Sequence, residues 1–167
     1  MPHPGYNPLS LLLHCCVRDM TRVNSREYKR PESVMVVVYN DAAEVLMLQR
    51  THPAGLWQSV TGSLRRDESP QAAARRELHE ETGLALDVRD CHRVNTFSIL
   101  PAWQARYAPG VTHNREHVFI AACAGRPPVT LNPGEHVACR WLERAAAAEL
   151  AFFDNNRDAI LDFVPDA

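Results

Sequence analysis

Long hydrophobic runs are missing from this chain. The longest early one, residues 11–17, encloses His14 and is far too short to span a bilayer. No basic start precedes it and no small-residue cleavage site follows it, so it does not read as a signal peptide. An excess of positive charge is missing too: 18 Lys and Arg stand against 20 Asp and Glu, a net charge of −2. No overall basic field therefore draws the protein to nucleic acid or membrane, and no basic stripe or aromatic platform marks a nucleic-acid surface. This does not exclude an anionic substrate, because a bound metal supplies positive charge locally. A C-x-x-C pair is also absent. The five cysteines, at 15, 16, 91, 123 and 139, are odd in number and fit a reducing cytoplasm better than a disulfide framework. Neither an internal repeat nor a low-complexity block is visible.

What is present fits one domain with an ordinary core. Residues 1–27 show no clear period and read as an N-terminal extension, partly disordered, with Met20 as an alternative start. The domain is expected over 28–164. Residues 33–39 (S-V-M-V-V-V-Y) form a β-branched run suited to a strand buried on both faces. Asn40-Asp41 gives a turn into a second strand at 44–50, and 58–63 can be a third. Helix 70–82 has marked ends: Ser69 as N-cap, Pro70 at the first helical position and Gly83 as the left-handed residue after the last turn. Further strand-like pieces lie at 84–88, 91–100, 116–123 and 136–142, with a loop at 101–112 and helices at 144–150 and 155–163. Strands and helices mixed without regular βαβ alternation predict a layered α/β (α+β) fold.

The chemistry concentrates in residues 62–84. Glu77, Glu80 and Glu81 lie at relative positions 0, 3 and 4, which stacks them on one helix face. Like charges in one place oppose each other's ionisation, and a hard divalent cation relieves that cost. E-x-x-E-E by itself is also what a solvated surface helix carries. The full pattern is different, since two glycines, four glutamates, one arginine and two aliphatic residues agree at fixed spacing. Average residue frequencies put its chance occurrence at on the order of one in ten million.

These residues, G-x5-E-x7-R-E-U-x-E-E-x-G-U with U aliphatic, match the Nudix box at every specified position, and the chain resembles a Nudix hydrolase. The resemblance implies an α/β/α sandwich with a mixed sheet, cleaving a diphosphate bond with Mg²⁺, for which Mn²⁺ can substitute. It implies Glu77, Glu80 and Glu81 as the metal-binding set, with Arg76 in the catalytic group. Gly62, Glu68 and Gly83 shape the loop and the helix. The general base stays open between Glu80, another box glutamate and Glu135.

Outside the box, residues 28–31 (Y-K-R-P), 45–50 (V-L-M-L-Q-R), 57–63 (W-Q-S-V-T-G-S) and 106–112 (R-Y-A-P-G-V-T) resemble the branch of that family that hydrolyses dihydroneopterin triphosphate in folate synthesis. That narrower resemblance implies substrate contacts from Lys29, Arg50 and Thr61, a pterin-side segment Phe97, Ser98, Ile99 and Leu100, a further substrate position at Phe153, and Glu135 as an additional metal ligand. A guanidinium at Arg50 suits phosphate, which it pairs bidentately. Phe153 stands where this branch can offer a small polar residue, and Ser98 and Leu100 stand where bulkier or acidic residues can occur. The expected partner is a small pterin or nucleoside triphosphate, with no nucleic acid, no membrane and no oligomeric state legible. The alternatives are a nucleoside triphosphate pyrophosphatase for dATP or damaged nucleotides, and a Nudix fold kept as a non-catalytic binding module. Against the module stands the retention of all four box glutamates.

Overall fold

The structure, a computed structural model, describes residues 28–166; the extension at 1–27 and Met20 lie outside the described residues. In chain order the strands are β1 (Glu32–Asn40), β2 (Glu44–Arg50), β3 (Trp57–Gln58), β4 (Val60–Ser63), β5 (Arg89–Ser98), β6 (His113–Cys123) and β7 (His136–Glu143). The helices are α1 (Pro70–Thr82), between β4 and β5, then α2 (Arg144–Leu150) and α3 (Asp154–Phe163) at the end. No helix among the described residues is long and apolar enough to cross a membrane.

β1 is the axis of the sheet because its sequence can be covered on both sides. From Val34 to Val38 no residue is more than 2% exposed. β6 runs parallel to β1 along its whole length, from Glu32↔Arg115 to Asn40↔Cys123, and β5 adds antiparallel beyond β6. On the other edge of β1, β4 pairs antiparallel with residues 33–36, while β2 meets β1 at Tyr39↔Val45. β2 also carries β3 and β7.

Successive strand residues point to opposite faces, so β1 splits its side chains between two cores. Val34, Val36 and Val38 pack with Leu46, Leu48 and Phe119 against Ala73, Ala74 and Leu78 of α1. Met35 and Val37 pack with Val45, Met47 and Ile120 against Ala147 and Ala148 of α2 and Ala159 and Ile160 of α3. This is the expected α/β/α sandwich around a mixed sheet. Deleting a large side chain from either layer, for instance Leu78→Ala, is expected to cost about 2–5 kcal/mol.

The ends of α1 are those the sequence predicts. The Ser69 hydroxyl accepts from the Ala72 N–H at 3.2 Å, and Gly83 sits at φ 73° with its N–H donating to the His79 carbonyl. Elsewhere the structure departs from expectation. The single strand expected at 58–63 is divided at Ser59, whose N–H donates to Asn156 Oδ1 at 2.8 Å instead of to a neighbouring strand. Residues 84–88 are not a strand. Leu84 and Val88 are buried, but side chains take their backbone groups: Thr82 Oγ1 accepts from Leu84 N–H, and Gln71 Nε2 donates to the Val88 carbonyl. The loop at 101–112 contains a short 3₁₀ helix, Pro101–Arg106, opened by its own proline.

Candidate active site

α1 and the loop before it are tied together by one side chain. Arg76 donates to Glu68 at 2.7 Å through both Nε and Nη2, to Glu77 at 2.6 Å, to Glu80 at 3.0 Å and to the Ser63 carbonyl at 3.1 Å. The guanidinium fork allows this many simultaneous partners, which a lysine ammonium cannot match in plane. Glu68 closes the loop by also accepting from the Arg65 N–H at 2.9 Å. These hydrogen bonds, from Arg76 first, hold the Glu68 carboxyl at about 2. Arg76 therefore touches carboxylates and a loop carbonyl, and it is a positioning residue rather than part of the cavity wall.

Gly62 explains the start of the box. A Cβ at this position would lie 1.9 Å from Glu77 Cδ, so only a glycine leaves room for that carboxylate. Glu77 is buried, and burial first of all raises its pKa, with Arg76 acting in the opposite direction. One helical turn further on, Glu81 is 1% exposed and both of its oxygens lack a hydrogen-bond partner. Its pKa is raised well above the usual carboxylate range, by burial first and then by Glu77 and Glu135.

Two residues from the far side of the chain complete this cluster. A register shift between Gln49 and Arg50 bends the β2–β7 pairing, and Thr51 N–H donates to the Glu135 carbonyl at 2.8 Å. Glu135 and His136 are thereby placed beside α1. Donor atoms of Glu81, Glu135 and His136 lie within 4.8 Å of one another. His136 is buried with both ring nitrogens unpartnered, and its Nε2 is 3.9 Å from Glu81, too far for a hydrogen bond. Burial, followed by repulsion from Arg50, lowers its pKa to about 4, so the ring is neutral near pH 7 and does not balance the carboxylates. Buried polar atoms left without partners are costly. Here Glu81 and His136, each with unpartnered buried atoms, bring one donor atom apiece together with a carboxylate oxygen of Glu135, and the donor set fits a divalent cation.

Glu80 is placed differently from its neighbours. Its carboxylate is 42% exposed and held by Arg65 at 2.9 Å and Arg76 at 3.0 Å, apart from the Glu81–Glu135–His136 cluster. It still shares Arg76 Nη1 with Glu77, as expected of carboxylates on one helix face, and differs from Glu77 and Glu81 in its exposure and in its second partner, Arg65.

The substrate positions come together. A cavity of about 1030 Å³ is lined by Lys29, Arg50, Thr61, Gly62, Glu77 and Glu135. Phe97, Ser98, Ile99, Leu100 and Phe153 line it as well. Lys29 is drawn in by its backbone, whose N–H donates to the Arg106 carbonyl; burial, then Arg106, lowers the pKa of its amine. The Arg50 guanidinium lies 5.9 Å from the centre of the Trp103 ring, within cation–π range, and its Nε donates to the His52 carbonyl. Several site residues were not expected from the sequence: His136 in the buried cluster, and on the cavity wall the 3₁₀-helix pair Trp103 and Arg106, Asn114, Glu116 and Asn155. The signal for Asn114 and Glu116 was legible in principle, since they are polar residues at alternate positions entering the apolar strand β6.

A buried acidic cluster on a glycine-gated helix, facing a cavity with cationic side chains, is the arrangement the box implies. The NUDIX domain family matches residues 29–163, almost all of the described chain. The chain belongs to the Nudix family. Among its relatives in that family, the chain is 41% identical over 151 residues to dihydroneopterin triphosphate diphosphatase of Escherichia coli, covering 87% of this chain and 99% of that protein. It is 36% identical to the Haemophilus influenzae enzyme of the same name, over 87% of this chain and 95% of that one. The solved structure of the E. coli dihydroneopterin triphosphate pyrophosphohydrolase superposes with a TM-score of 0.77 at 43% identity, covering 82% of this chain and 97% of that one.

Proposed function

We propose that this Nudix protein is a divalent-cation-dependent pyrophosphohydrolase that converts 7,8-dihydroneopterin triphosphate and water to dihydroneopterin monophosphate and pyrophosphate, in the cytoplasm, with Mg²⁺ as the cation and Mn²⁺ as a substitute. One observation carries this reading. The residues implied by likeness to the dihydroneopterin triphosphate branch, scattered from Lys29 to Phe153, line a single cavity together with Glu77 and Glu135. The similarity to the E. coli and H. influenzae enzymes along nearly their full lengths supports the same substrate.

In this reading Glu81, Glu135 and Glu77 hold the cation, with His136 behind them. Bound there, the cation neutralises phosphate oxygens and acidifies a water. Lys29 and Arg50 pair the remaining phosphate charge, Arg50 braced against Trp103. Water adds to phosphorus, the bond to the pyrophosphate group breaks, and a cavity carboxylate, Glu77 or Glu135, takes the water proton. Arg76 and Gly62 keep Glu77 aimed into the cavity. Such chemistry depends on positioning and charge stabilisation more than on a nucleophilic side chain.

A nucleoside triphosphate presents the same phosphate arm, so the test is a substrate panel in Mg²⁺, with pyrophosphate and orthophosphate measured separately and EDTA as the control. The expected result is pyrophosphate release, fastest from dihydroneopterin triphosphate. Turnover of that compound no faster than dATP at equal concentration would overturn the substrate. No metal-dependent turnover of any triphosphate would leave the non-catalytic binding module as the better reading.

A further inference from the structure

The cavity contains one buried carboxylate that the phosphate chemistry does not use. Glu116, on β6, is 4% exposed and lines the cavity with Phe97, Phe153 and Asn155. No Arg, Lys or His forms an ion pair with it among the described residues. It is held instead by two amides: Asn155 Nδ2 donates at 2.6 Å and Asn95 Nδ2 at 3.5 Å, both to Oε1. Among the described residues Oε2 takes no donor. Two residues earlier on the same strand, and so on the same face, Asn114 repeats the arrangement. Its Nδ2 donates to Ser33 Oγ at 2.6 Å, while its Oδ1 is buried without a partner. Asn114 lines the same cavity. A buried carboxylate and an orphaned amide oxygen thus form a wall that offers acceptors and lacks donors.

A wall of this kind is costly when empty and fits a ring edge made of N–H donors. We infer that Glu116, seconded by Asn114, reads the substrate ring by accepting from the adjacent ring N–H and exocyclic amine of a 2-amino-4-oxopyrimidine edge. Pterins and guanine carry that edge. Adenine presents a ring nitrogen lone pair beside its amine, which faces the carboxylate as acceptor against acceptor. The inference deepens the proposed function and rests on its substrate, with the ring beside Phe97 and Phe153, the substrate positions that likeness to the dihydroneopterin triphosphate branch implies. Burial, opposed by the two asparagines, raises the Glu116 pKa to about 7, consistent with a carboxyl that lacks a cation and awaits donors.

The test has two arms. In the first, kcat/KM is measured for dihydroneopterin triphosphate, dGTP and dATP in the wild type and in Glu116→Gln, which keeps the shape and replaces one acceptor by a donor. The ratio of dihydroneopterin triphosphate to dATP is expected to fall by about tenfold or more, chiefly through KM. A ratio within about threefold of wild type overturns the inference. The second arm needs no variant, so it stands even if Glu116→Gln does not fold. Phosphate-free 7,8-dihydroneopterin, guanosine and adenosine are titrated onto the wild-type protein by calorimetry. The first two are expected to bind more tightly than adenosine, and adenosine binding as tightly as guanosine overturns the inference. Failure of the wild type to hydrolyse dihydroneopterin triphosphate removes the proposed substrate alone; the edge preference is then read on dGTP against dATP.

Discussion

At the α1 end of the cavity Arg76 gathers Glu68, Glu77 and Glu80 from within eight residues of itself. At the ring end Glu116 is held by Asn95, 21 residues away, and by Asn155, 39 residues away. The first end is dense in charge and carries its own counter-charge. The second holds a single buried carboxylate, and that one has only neutral donors. The difference teaches how the two parts specify what they do. The first part of the charged chemistry, from Glu68 to Glu81, is written into a helix and its adjoining loop, where spacing fixes which side chains meet, and Glu135 and His136 join it from the start of β7. Ring recognition is spread over β5, β6 and the start of α3, and it exists only once the sheet has formed.

This contrast can be broken at several points, and the largest effect is expected at Glu81. Glu81→Gln removes a buried charge and leaves the shape, so turnover should fall at least about 100-fold while the thermal midpoint stays within about 5 °C. Loss of Mn²⁺ binding by calorimetry would accompany it. Near-normal turnover would remove Glu81 from the metal set.

Arg76→Ala should be the most destabilising change at this end. It strips Glu68 and Glu77, both largely buried, of their shared partner, at a cost of about 3 kcal/mol read from denaturant unfolding. A loss below about 1 kcal/mol would mean that the carboxylates find other partners.

Gly62→Ala sharpens the comparison by acting on one carboxylate alone. The new methyl must push Glu77 out of its position, and turnover should drop by about tenfold or more. A fully active variant would show that Glu77 need not point into the cavity.

Glu68 and Glu116 should also respond to acid in opposite senses. Glu68, held at about 2 against roughly 4.3 when unfolded, contributes stability that is present above about pH 5 and is lost as pH falls towards 2. Glu116, raised to about 7, favours the fold while protonated, and that contribution is lost as pH rises from about 4 through 7. Thermal midpoints measured from pH 2 to 8 should therefore lose part of the acid limb in Arg76→Ala and part of the rise-dependent loss above pH 4 in Glu116→Gln. Identical profiles in all three proteins would contradict both assignments.

The smallest effect is expected at Phe153, whose ring packs edge-to-face on Phe152 at 4.9 Å and whose carbonyl accepts from Asn156 and Arg157 at the start of α3. Phe153→Ser keeps that backbone role and should change kcat/KM for dihydroneopterin triphosphate by only a few-fold, about 1 kcal/mol or less. A hundredfold change would move Phe153 from wall to ring anchor.

The sequence by itself determined the helix 70–82 to its caps, the two-faced strand at its centre, the layered fold and the nature of the acidic cluster. All of these follow from contacts between residues close in the chain or from a period along one element. It placed Lys29, Arg50, Thr61, Phe97 and Phe153 in the substrate group only through likeness to a family branch, because no local period links them. What tertiary structure decided is the rest. It broke the strand at Ser59, because Asn156 reaches across to take that N–H. It left 84–88 irregular, because side chains satisfy backbone groups that a strand would have paired. It gave Glu80 a second arginine partner in Arg65, brought His136 against Glu81, and made Glu116 a buried carboxylate among asparagines. Each of these outcomes depends on which distant side chain has a free donor or acceptor at the place where the folded chain delivers it, and a linear pattern does not carry that information.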